Sequence, residues 1–208
     1  MRTRLRAGDP EAFRELFQEF AQAIHRHALR VSDDWSAAEE VVSLTFLEVW
    51  RLRERLEPGD DPVRPWVYGI ATNVLHNRRR AVRRHSRAMG RLPAPDVVRD
   101  FSDETVERVD DRRRLAAVKT AVTRLRGGER DVFQLCVWSG LTYGEAADAL
   151  GVPVGTVRSR LARARKRLQK LTAEELKKLG NPQEPRPDSE QIQGDRDSAV
   201  RTIQETLR

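Results

Sequence analysis

The segment from Thr142 to Leu168 constrains the fold more than any other part of the chain. Thr142 and Glu145 have the spacing of a capping box, in which each side chain hydrogen-bonds to the backbone of the other, and this predicts a helix start. Gly151 predicts the end of that helix, because glycine readily adopts a left-handed conformation, and Pro153 favours a second start. Two helices joined by so short a turn form a helix-turn-helix.

The second helix of this pair is strongly basic. No acidic residue occurs between Gly151 and Lys170. A helix that carries only positive charges, and that its neighbour holds at a fixed angle, fits the major groove of DNA. A solvated basic face would account for the charge, but not for the cap, the turn and the charge together. The segment is therefore interpreted as DNA-binding. Its basic residues are Arg158, Arg160, Arg163, Arg165, Lys166, Arg167 and Lys170.

The composition of the 208 residues agrees with a polyanionic partner. Lys and Arg number 39 against 32 Asp and Glu, which gives a net charge of +7. The single cysteine, Cys136, excludes an internal disulfide and any multi-cysteine metal site. The sequence has neither a long apolar run nor the apolar core of a signal peptide, so a cytoplasmic protein is expected. Strand-like alternation is rare, and the predicted fold class is all-α, with two small helical domains joined by a flexible linker.

The N-terminal part of the chain shows two amphipathic helices. Asp9 predicts the cap of the first and Pro10 its first residue. Ser36 and Glu39 predict a capping box for the second. The predicted core stripe of the first helix is Phe13, Leu16, Phe17, Phe20 and Ile24, and that of the second is Ala38, Val41, Val42, Thr45, Phe46 and Val49.

Leu44, Leu47 and Arg51 fall on a different face of the second helix. Apolar residues away from the core stripe indicate a partner surface. Burial of the helix on two sides of a small bundle explains the same pattern, and periodicity alone does not separate the two interpretations.

A third helix is predicted from Pro65, and its far end is basic. No acidic residue occurs between Tyr68 and Pro95. A disordered basic linker is one interpretation of the run, and contact with phosphates is the other. We favour contact, because the run begins on a patterned helix that bears Trp66 and Tyr68, and aromatic residues beside arginines suit single-stranded DNA. The stripe is Val67, Ile70, Ala71, Val74 and Leu75, and the basic residues are Arg78, Arg79, Arg80, Arg83 and Arg84.

These patterns divide the chain into four parts. The predicted boundaries are an N-terminal domain at 1–86, a linker at 87–110, a helix-turn-helix domain at 111–171 and a mostly disordered extension at 172–208. The linker is too irregular for a rigid spacer, so the two domains are expected to act as tethered sites. The sequence has no glycine-rich phosphate loop, no metal-ligand spacing and no catalytic constellation, and neither an enzyme nor a cofactor is expected.

Three segments together resemble a known family. Ala38 to Trp50 (AEEVVSLTFLEVW) resembles part of region two of bacterial sigma factors of the sigma-70 family. Arg64 to Arg80 (RPWVYGIATNVLHNRRR) resembles the region that melts promoters and reads the −10 element. Leu141 to Leu168 resembles the region that reads the −35 element. The absence of further domains makes the chain similar to the extracytoplasmic-function (ECF) group, over about residues 5 to 171.

The resemblance implies an initiation factor that directs core RNA polymerase to promoters and assists DNA melting. It implies binding to the −35 duplex and to the −10 non-template strand, with the loop Glu57 to Arg64 taking up a flipped base. An anti-sigma factor is a further expected partner. No metal, no cofactor and no insertion into a membrane are expected. The implied −35 contacts are Thr156, Arg158, Ser159, Arg160, Ala162 and Arg163, with Arg158 and Arg163 as guanine readers. The implied −10 contacts are Trp66, Tyr68, Asn73, Arg78, Arg79 and Arg80, and the implied polymerase contacts are Glu40, Ser43, Leu44, Leu47 and Arg51.

The sequence departs from the family pattern in two places. Ser43 and Leu44 stand where relatives usually have Gln-Glu or Gln-Asp, and Ala146 stands where a larger aliphatic residue is common. Two other classes of protein fit the sequence less well. A helix-turn-helix regulator acting on duplex DNA without polymerase would not need the region-two pattern, and a recombinase would need a catalytic constellation that the sequence lacks.

Overall fold

The computed structural model describes residues 1–89 and 117–180, and these residues form eight α-helices and no strand, which confirms the all-α prediction. A short 3₁₀ turn, Arg53–Arg55, follows α3, and a π-helical turn, Gln134–Trp138, follows α6. The α-helices are α1 (Arg2–Arg6), α2 (Pro10–Ser32), α3 (Trp35–Leu52), α4 (Arg64–Met89), α5 (residues 117–123), α6 (Gly127–Phe133), α7 (Tyr143–Leu150) and α8 (Val154–Gly180).

Helix α2 begins where its sequence predicted. Asp9 is the N-cap, its carboxylate accepts a hydrogen bond from the Glu11 amide, and Pro10 is the first helical residue. Leu16, Phe20 and Ile24 are buried as expected. The prediction that Phe17 belongs to the core is wrong, because 45% of this side chain is exposed. It lies at the edge of the stripe, where its ring still packs against Phe46 at 4.8 Å between centroids.

The start of α3 corrects the predicted cap at Ser36. Asp34 is the N-cap, and its carboxylate accepts a hydrogen bond from the Ala37 amide at 3.1 Å. Asp is at least as good a cap as Ser, and the tight turn at Asp33, with φ of 56°, brings Asp34 to that position. The predicted stripe of α3 is otherwise buried, apart from the half-buried Val42.

Helix α4 completes the N-terminal domain. Its predicted stripe, Val67, Ile70, Ala71, Val74 and Leu75, is buried, and it packs against α2 and α3. The helix runs to Met89, three residues beyond the position that we gave to the end of the domain. Most of the predicted linker and the end of the predicted extension lie outside the described residues.

The C-terminal domain is a small bundle of α5 to α8. Its core consists of Val122, Leu125, Val132, Leu135 and the inner faces of α7 and α8. Helix α8 continues to Gly180, nine residues past the predicted end of the domain at 171, and Leu171 is buried. The first part of the predicted extension, residues 172–180, is therefore helical. It continues α8, whose buried stripe reaches Leu171.

The described parts of the two domains are in direct contact, which the linker argument did not predict. Helix α4 packs against α7, and the end of α2 contacts the π-helical turn. Several side chains bridge the domains, and they hold the helix-turn-helix domain against the N-terminal helices in a closed arrangement. The bridging pairs are Arg64 with Ser139 and Glu145, His27 with Ser139, Arg30 with Trp138, His76 with Asp131, and Asp33 with Lys119.

Candidate nucleic-acid interface

The first part of the interface is the helix-turn-helix formed by α7 and α8. Thr142 and Glu145 form both bonds of the predicted capping box: the Glu145 amide donates to the Thr142 hydroxyl at 3.2 Å, and the Thr142 amide donates to the Glu145 carboxylate at 2.8 Å. Gly151 ends α7 with φ of 61°, as the sequence predicted. The cap and the left-handed turn together fix the angle at which α8 leaves α7.

Glu145 is charged despite its partial burial. Burial opposes ionisation, but the hydrogen bonds from the amide and hydroxyl of Thr142, together with the nearby Arg64 guanidinium, lower the pKa of the Glu145 carboxyl. The same carboxylate thus caps α7 and pairs with α4 of the other domain, at 3.4 Å from Arg64. It connects the helix-turn-helix to the N-terminal domain.

Helix α8 has one buried face and one exposed face. Val157, Leu161, Ala164 and Leu168 recur at helical spacing and are buried in the domain core. Arg158, Ser159, Ala162 and Arg163 lie on the opposite, exposed face. This arrangement presents four of the six predicted −35 contacts together to a partner.

The other two predicted −35 residues lie at the flank of α8. Thr156 and Arg160 are half-buried, and the Arg160 guanidinium packs against the start of α6 at Gly128. Arg163, on the exposed face, donates from Nε to the Ser159 carbonyl at 3.1 Å. Its guanidinium therefore rests on its own helix and must turn outward to reach a base.

The predicted −10 residues do not lie on one face of α4. Trp66, Asn73 and Arg80 recur at intervals of seven residues and share a face, on which Asn73 and Arg80 are exposed and Trp66 is half-buried. Arg78 pairs with Glu40 at 2.6 Å and approaches Asp34 at 3.7 Å. Tyr68 and Arg79 lie on the side of α4 that meets the end of α2 and the C-terminal domain.

Tyr68 is buried at the junction of the two domains. Its ring packs edge-on against His27 at 5.6 Å, and the Arg64 guanidinium lies 5.7 Å from the ring centroid. Trp138 and Ser139 of the C-terminal domain line the same cavity of about 310 Å³. A base cannot stack on Tyr68 in the closed arrangement.

Arg79 is the most perturbed cation of the interface. Burial lowers the pKa of its guanidinium to about 10, and the like charges of Arg130 and Arg83 contribute in the same direction, against Asp131. Burial also lowers the pKa of Arg130, whose Nε is buried without a hydrogen-bond partner among the described residues. Arg79 and Arg130 therefore place two like charges close together at the contact between the domains, beside Asp131.

The predicted polymerase residues lie on the outer side of α3. A groove of about 590 Å³ runs between α3 and α4, and Glu40, Leu44 and Arg51 line it. Ser43 and Leu47 lie outside the groove; Leu47 is 61% exposed, and the Ser43 hydroxyl donates to the Glu39 carbonyl. The exposure of Leu44 and Leu47 excludes burial of α3 on two sides, and the partner surface stays a prediction.

Sequence reasoning missed Val82, Asn77 and Arg64. Val82 is 52% exposed on the α4 wall of the groove, opposite Leu44. Asn77 lines the groove on the same side. An apolar residue within the basic run was a usable signal for Val82, whereas nothing local marks Arg64 as a bridge between domains.

The loop at 57–64 is held in place from the N-terminus. Arg2 donates from Nε to the Asp61 carbonyl at 2.9 Å and contacts the carbonyls of Glu57 and Pro62. The loop side chains from Glu57 to Pro62 are exposed. The backbone is therefore anchored while the side chains stay accessible.

The comparisons with known proteins agree with these elements. The family model described as Sigma-70 region 2 matches residues 16–85, and that described as Sigma-70, region 4 matches residues 115–168. The ECF RNA polymerase sigma factor SigL of Mycobacterium tuberculosis is 31% identical over 170 residues, which cover 82% of this chain and 93% of SigL. The chain belongs to the sigma-70 family. It is an RNA polymerase sigma factor of the ECF group.

Solved structures of sigma factors are similar to this sigma factor. CnrH, solved in complex with the cytosolic domain of CnrY, is 25% identical with a TM-score of 0.58, and the match covers 83% of this chain and 95% of CnrH. RpoE, solved with the anti-sigma factor NepR from Bartonella quintana, is 24% identical with a TM-score of 0.57, and the match covers 77% and 96% of the two chains. The second likeness shows the fold alone.

Within residues 1–89 and 117–180, no three His, Cys, Asp or Glu side chains are grouped so that they could hold a metal ion. Over the same ranges, no helix of the sigma factor has the length and apolar character needed to cross a membrane.

Proposed function

We propose that this sigma factor acts as an initiation subunit without catalytic activity of its own. Its N-terminal domain docks on core RNA polymerase through the α3–α4 groove and holds the unpaired −10 non-template strand. Its C-terminal domain reads the −35 duplex through α8. Because polymerase and chromosome share the bacterial cytoplasm, the protein acts there.

The observation that carries the proposal is the exposed face of α8. Arg158, Ser159, Ala162 and Arg163 stand opposite a fully buried stripe, on a helix whose first turns contain no acid. A guanidinium engages O6 and N7 of guanine together, and small residues allow close approach to neighbouring bases. We assign Arg160 to a phosphate or to a structural role, because it packs against Gly128.

Strand binding is assigned to the open face of α4 and the adjacent loop. Trp66 supplies a ring for stacking, while Asn73 and Arg80 supply hydrogen bonds and charge along the same face. The exposed side chains of the loop Glu57 to Arg64 are placed to receive a flipped base. Tyr68 and Arg79 join this surface only after the two domains separate.

Promoter-dependent transcription tests the proposal directly. The pure protein is combined with core polymerase on a duplex promoter and on the same promoter with a premelted −10 bubble. We expect transcription only with core enzyme, and strand contacts only on melted DNA or in the presence of core enzyme. Tight, specific binding of the free protein to closed duplex, with no gain from core enzyme, would support a duplex-binding regulator instead.

Arg158→Ala is expected to weaken −35 recognition much more than nonspecific binding. Loss of a bidentate guanine contact costs about 1–3 kcal/mol on the cognate site, and a scrambled site loses only the smaller contribution of the positive charge. Binding of the full chain to cognate and scrambled −35 duplexes measures the difference. Arg167→Ala is the matched control, because Arg167 is exposed later on α8. Equal losses on both duplexes would reduce Arg158 to a phosphate contact.

Leu44→Asp is expected to lower the affinity for core polymerase without changing helical content. Leu44 is 39% exposed and lines the groove, so a charge there costs little folding energy but opposes burial of the groove under a partner. Leu176→Asp is the control, because Leu176 is 37% exposed on α8, outside the groove. Circular dichroism and titration with core enzyme give the two readouts. Unfolding of the Leu44→Asp variant would place Leu44 in the core and contradict the interface.

We also propose that an anti-sigma partner competes for this groove. Two structural relatives were solved with CnrY and with the anti-sigma factor NepR, respectively. The groove has apolar walls from Leu44, Ile70 and Val82 and a charged rim, which suits an amphipathic helix. A partner seated there would exclude polymerase.

A further inference from the structure

The loop that precedes α4 reaches the surface with little backbone support of its own. Leu56 and Val63 are buried and fix its two ends, while residues 57–62 between them are exposed. In the part of the chain that the structure describes, backbone hydrogen bonds stop at the Leu56 amide and resume at the Val67 amide. No hydrogen-bonded turn among these residues holds the loop in shape, so its shape depends on contacts from elsewhere.

Arg2 supplies those contacts with a single guanidinium group. On the first limb of the loop, Nη1 donates to the Glu57 carbonyl at 3.3 Å. On the returning limb, Nε donates to the Asp61 carbonyl at 2.9 Å and Nη2 donates to the Pro62 carbonyl at 3.3 Å. A guanidinium is planar and holds its donors in a fixed geometry. Arg2 therefore ties the two limbs together at a defined separation.

Helix α1 is itself anchored, so Arg2 acts from a fixed position. Leu5 is 2% exposed and belongs to the core, and α1 packs against α2 and the 3₁₀ turn. Arg6 lies one helical turn after Arg2, on the same face of α1. Its Nη1 donates to the Leu56 carbonyl at 3.1 Å, where the loop begins. Two arginines of one short helix thus hold the loop, Arg6 at its base and Arg2 across both limbs.

The acidic side chains of the loop stay accessible. Glu57, Asp60 and Asp61 are exposed, and among the described residues none of them is engaged in an ion pair. Arg2 bonds to main-chain oxygens rather than to these carboxylates. It fixes the backbone while leaving the carboxylates as acceptors for the amino groups of a base.

We propose that Arg2 is a positioning residue for −10 recognition, which holds the loop in the shape that receives the unpaired base. The proposal rests on the function proposed above, and it adds α1 to the strand-reading part of the chain. A loop that is ordered in advance loses no conformational freedom when the base arrives. Selection between bases also requires acceptors in a fixed geometry. Loss of Arg2 therefore reduces the selectivity between bases more than the total affinity for the promoter.

Arg2→Ala removes all three contacts and tests the proposal. The full chain and core polymerase are bound to a promoter with a premelted −10 bubble, in which each unpaired non-template position carries the four bases in turn. At the position that the wild type reads most strongly, the ratio of affinities for the best and the worst base is expected to fall about three- to ten-fold. The affinity for the worst base is expected to stay within about two-fold, because the phosphate and −35 contacts are unchanged.

Two further variants separate geometry from charge. Arg14→Ala is the matched control, because Arg14 is an exposed arginine of α2 that pairs with Glu11 and does not contact the loop. It removes the same charge and is expected to leave the selectivity unchanged. Arg2→Lys keeps the charge, but a compact ammonium cannot span both limbs as the guanidinium does. It is expected to recover only part of the lost selectivity.

The order of the loop in the free chain is the second readout, and it needs no DNA. Nitrogen-15 relaxation at the amides of Gly59, Asp60 and Asp61 gives their backbone order parameters. In Arg2→Ala these are expected to fall from near the rigid value of about 0.85 towards about 0.6, and in Arg14→Ala they are expected to stay unchanged. Arg6→Ala covers the case in which Arg2→Ala fails to fold. It removes the single contact at the base of the loop and is expected to lower the selectivity about two-fold.

Each result decides the proposal. Lower loop order together with lower selectivity supports the role of Arg2. Lower order with unchanged selectivity, lower selectivity with unchanged order, or an Arg2→Lys variant equal to wild type overturns it. If the wild type discriminates between bases and Arg2→Ala does so equally, the role of Arg2 is wrong and strand reading stands. If the wild type prefers no base at any position of the bubble, the proposed strand reading itself fails.

Discussion

Replacement of Leu161 by alanine is expected to lower the free energy of unfolding by about 2–5 kcal/mol. Leu161 is 2% exposed and lies between Val157 and Ala164 on the stripe that holds α8 against α6 and α7. Removing its branched end loses buried apolar surface and leaves a cavity in a small bundle. Because the same helix carries the recognition face, loss of −35 binding should accompany loss of stability.

Urea denaturation of the full chain, followed by circular dichroism, measures the effect. Leu176→Ala is the control, because an exposed leucine of the same helix should change stability by no more than about 0.5 kcal/mol. A loss below about 1 kcal/mol for Leu161→Ala would mean that the site collapses around the smaller side chain. It would also mean that the stripe does not hold α8 in the way described.

Acidification from pH 6.5 to 4 is expected to destabilise the protein through His27 by up to about 3 kcal/mol. The ring is buried, and its Nδ1 lies 2.7 Å from the Ser139 hydroxyl. Burial lowers the pKa of His27 to about 4, and the charges of Arg30 and Arg79 add to this, against Asp131. The unfolded chain takes up a proton near pH 6.5 and the folded chain only near pH 4.

The sign of this dependence is therefore fixed. Between the two pKa values the unfolded state binds more protons, so stability rises with pH, and above pH 6.5 the contribution of His27 is constant. His27→Gln is expected to flatten the profile in this window. Equal slopes for wild type and His27→Gln would show that other groups carry the dependence.

Local rules predicted the helix ends that depend on neighbouring residues. The capping box of Thr142 and Glu145, the left-handed Gly151 and the cap at Asp9 were all correct, because each needs only residues within one helical turn. The predicted cap at Ser36 was wrong, although it rested on the same kind of local rule. A competing cap, Asp34, lay two residues away, and the turn at Asp33 that selects it is not visible in helical periodicity.

Contacts between distant parts of the chain were not predictable in this way. Helical spacing showed that Leu44 and Leu47 leave the core, but not that Val82 faces Leu44 across a groove. It placed Trp66, Tyr68 and Arg79 in one basic, aromatic helix, while only the fold shows that Tyr68 and Arg79 turn towards the other domain. Gly69 shows the limit of local spacing. A Cβ at this position would lie 2.6 Å from the carbonyl oxygen of Ala149, a residue 80 positions further along the chain.

Helix α8 has a mechanical consequence that follows from its length. Its 27 residues span about 40 Å, and the recognition residues occupy only the first third. The remainder extends about 25 Å beyond Arg163, and Ala164, Leu168 and Leu171 hold its first half against the domain core. A ligand bound near Gly180 would therefore lie about 25 Å along the helix axis from Arg163, on the same continuous helix as the recognition residues.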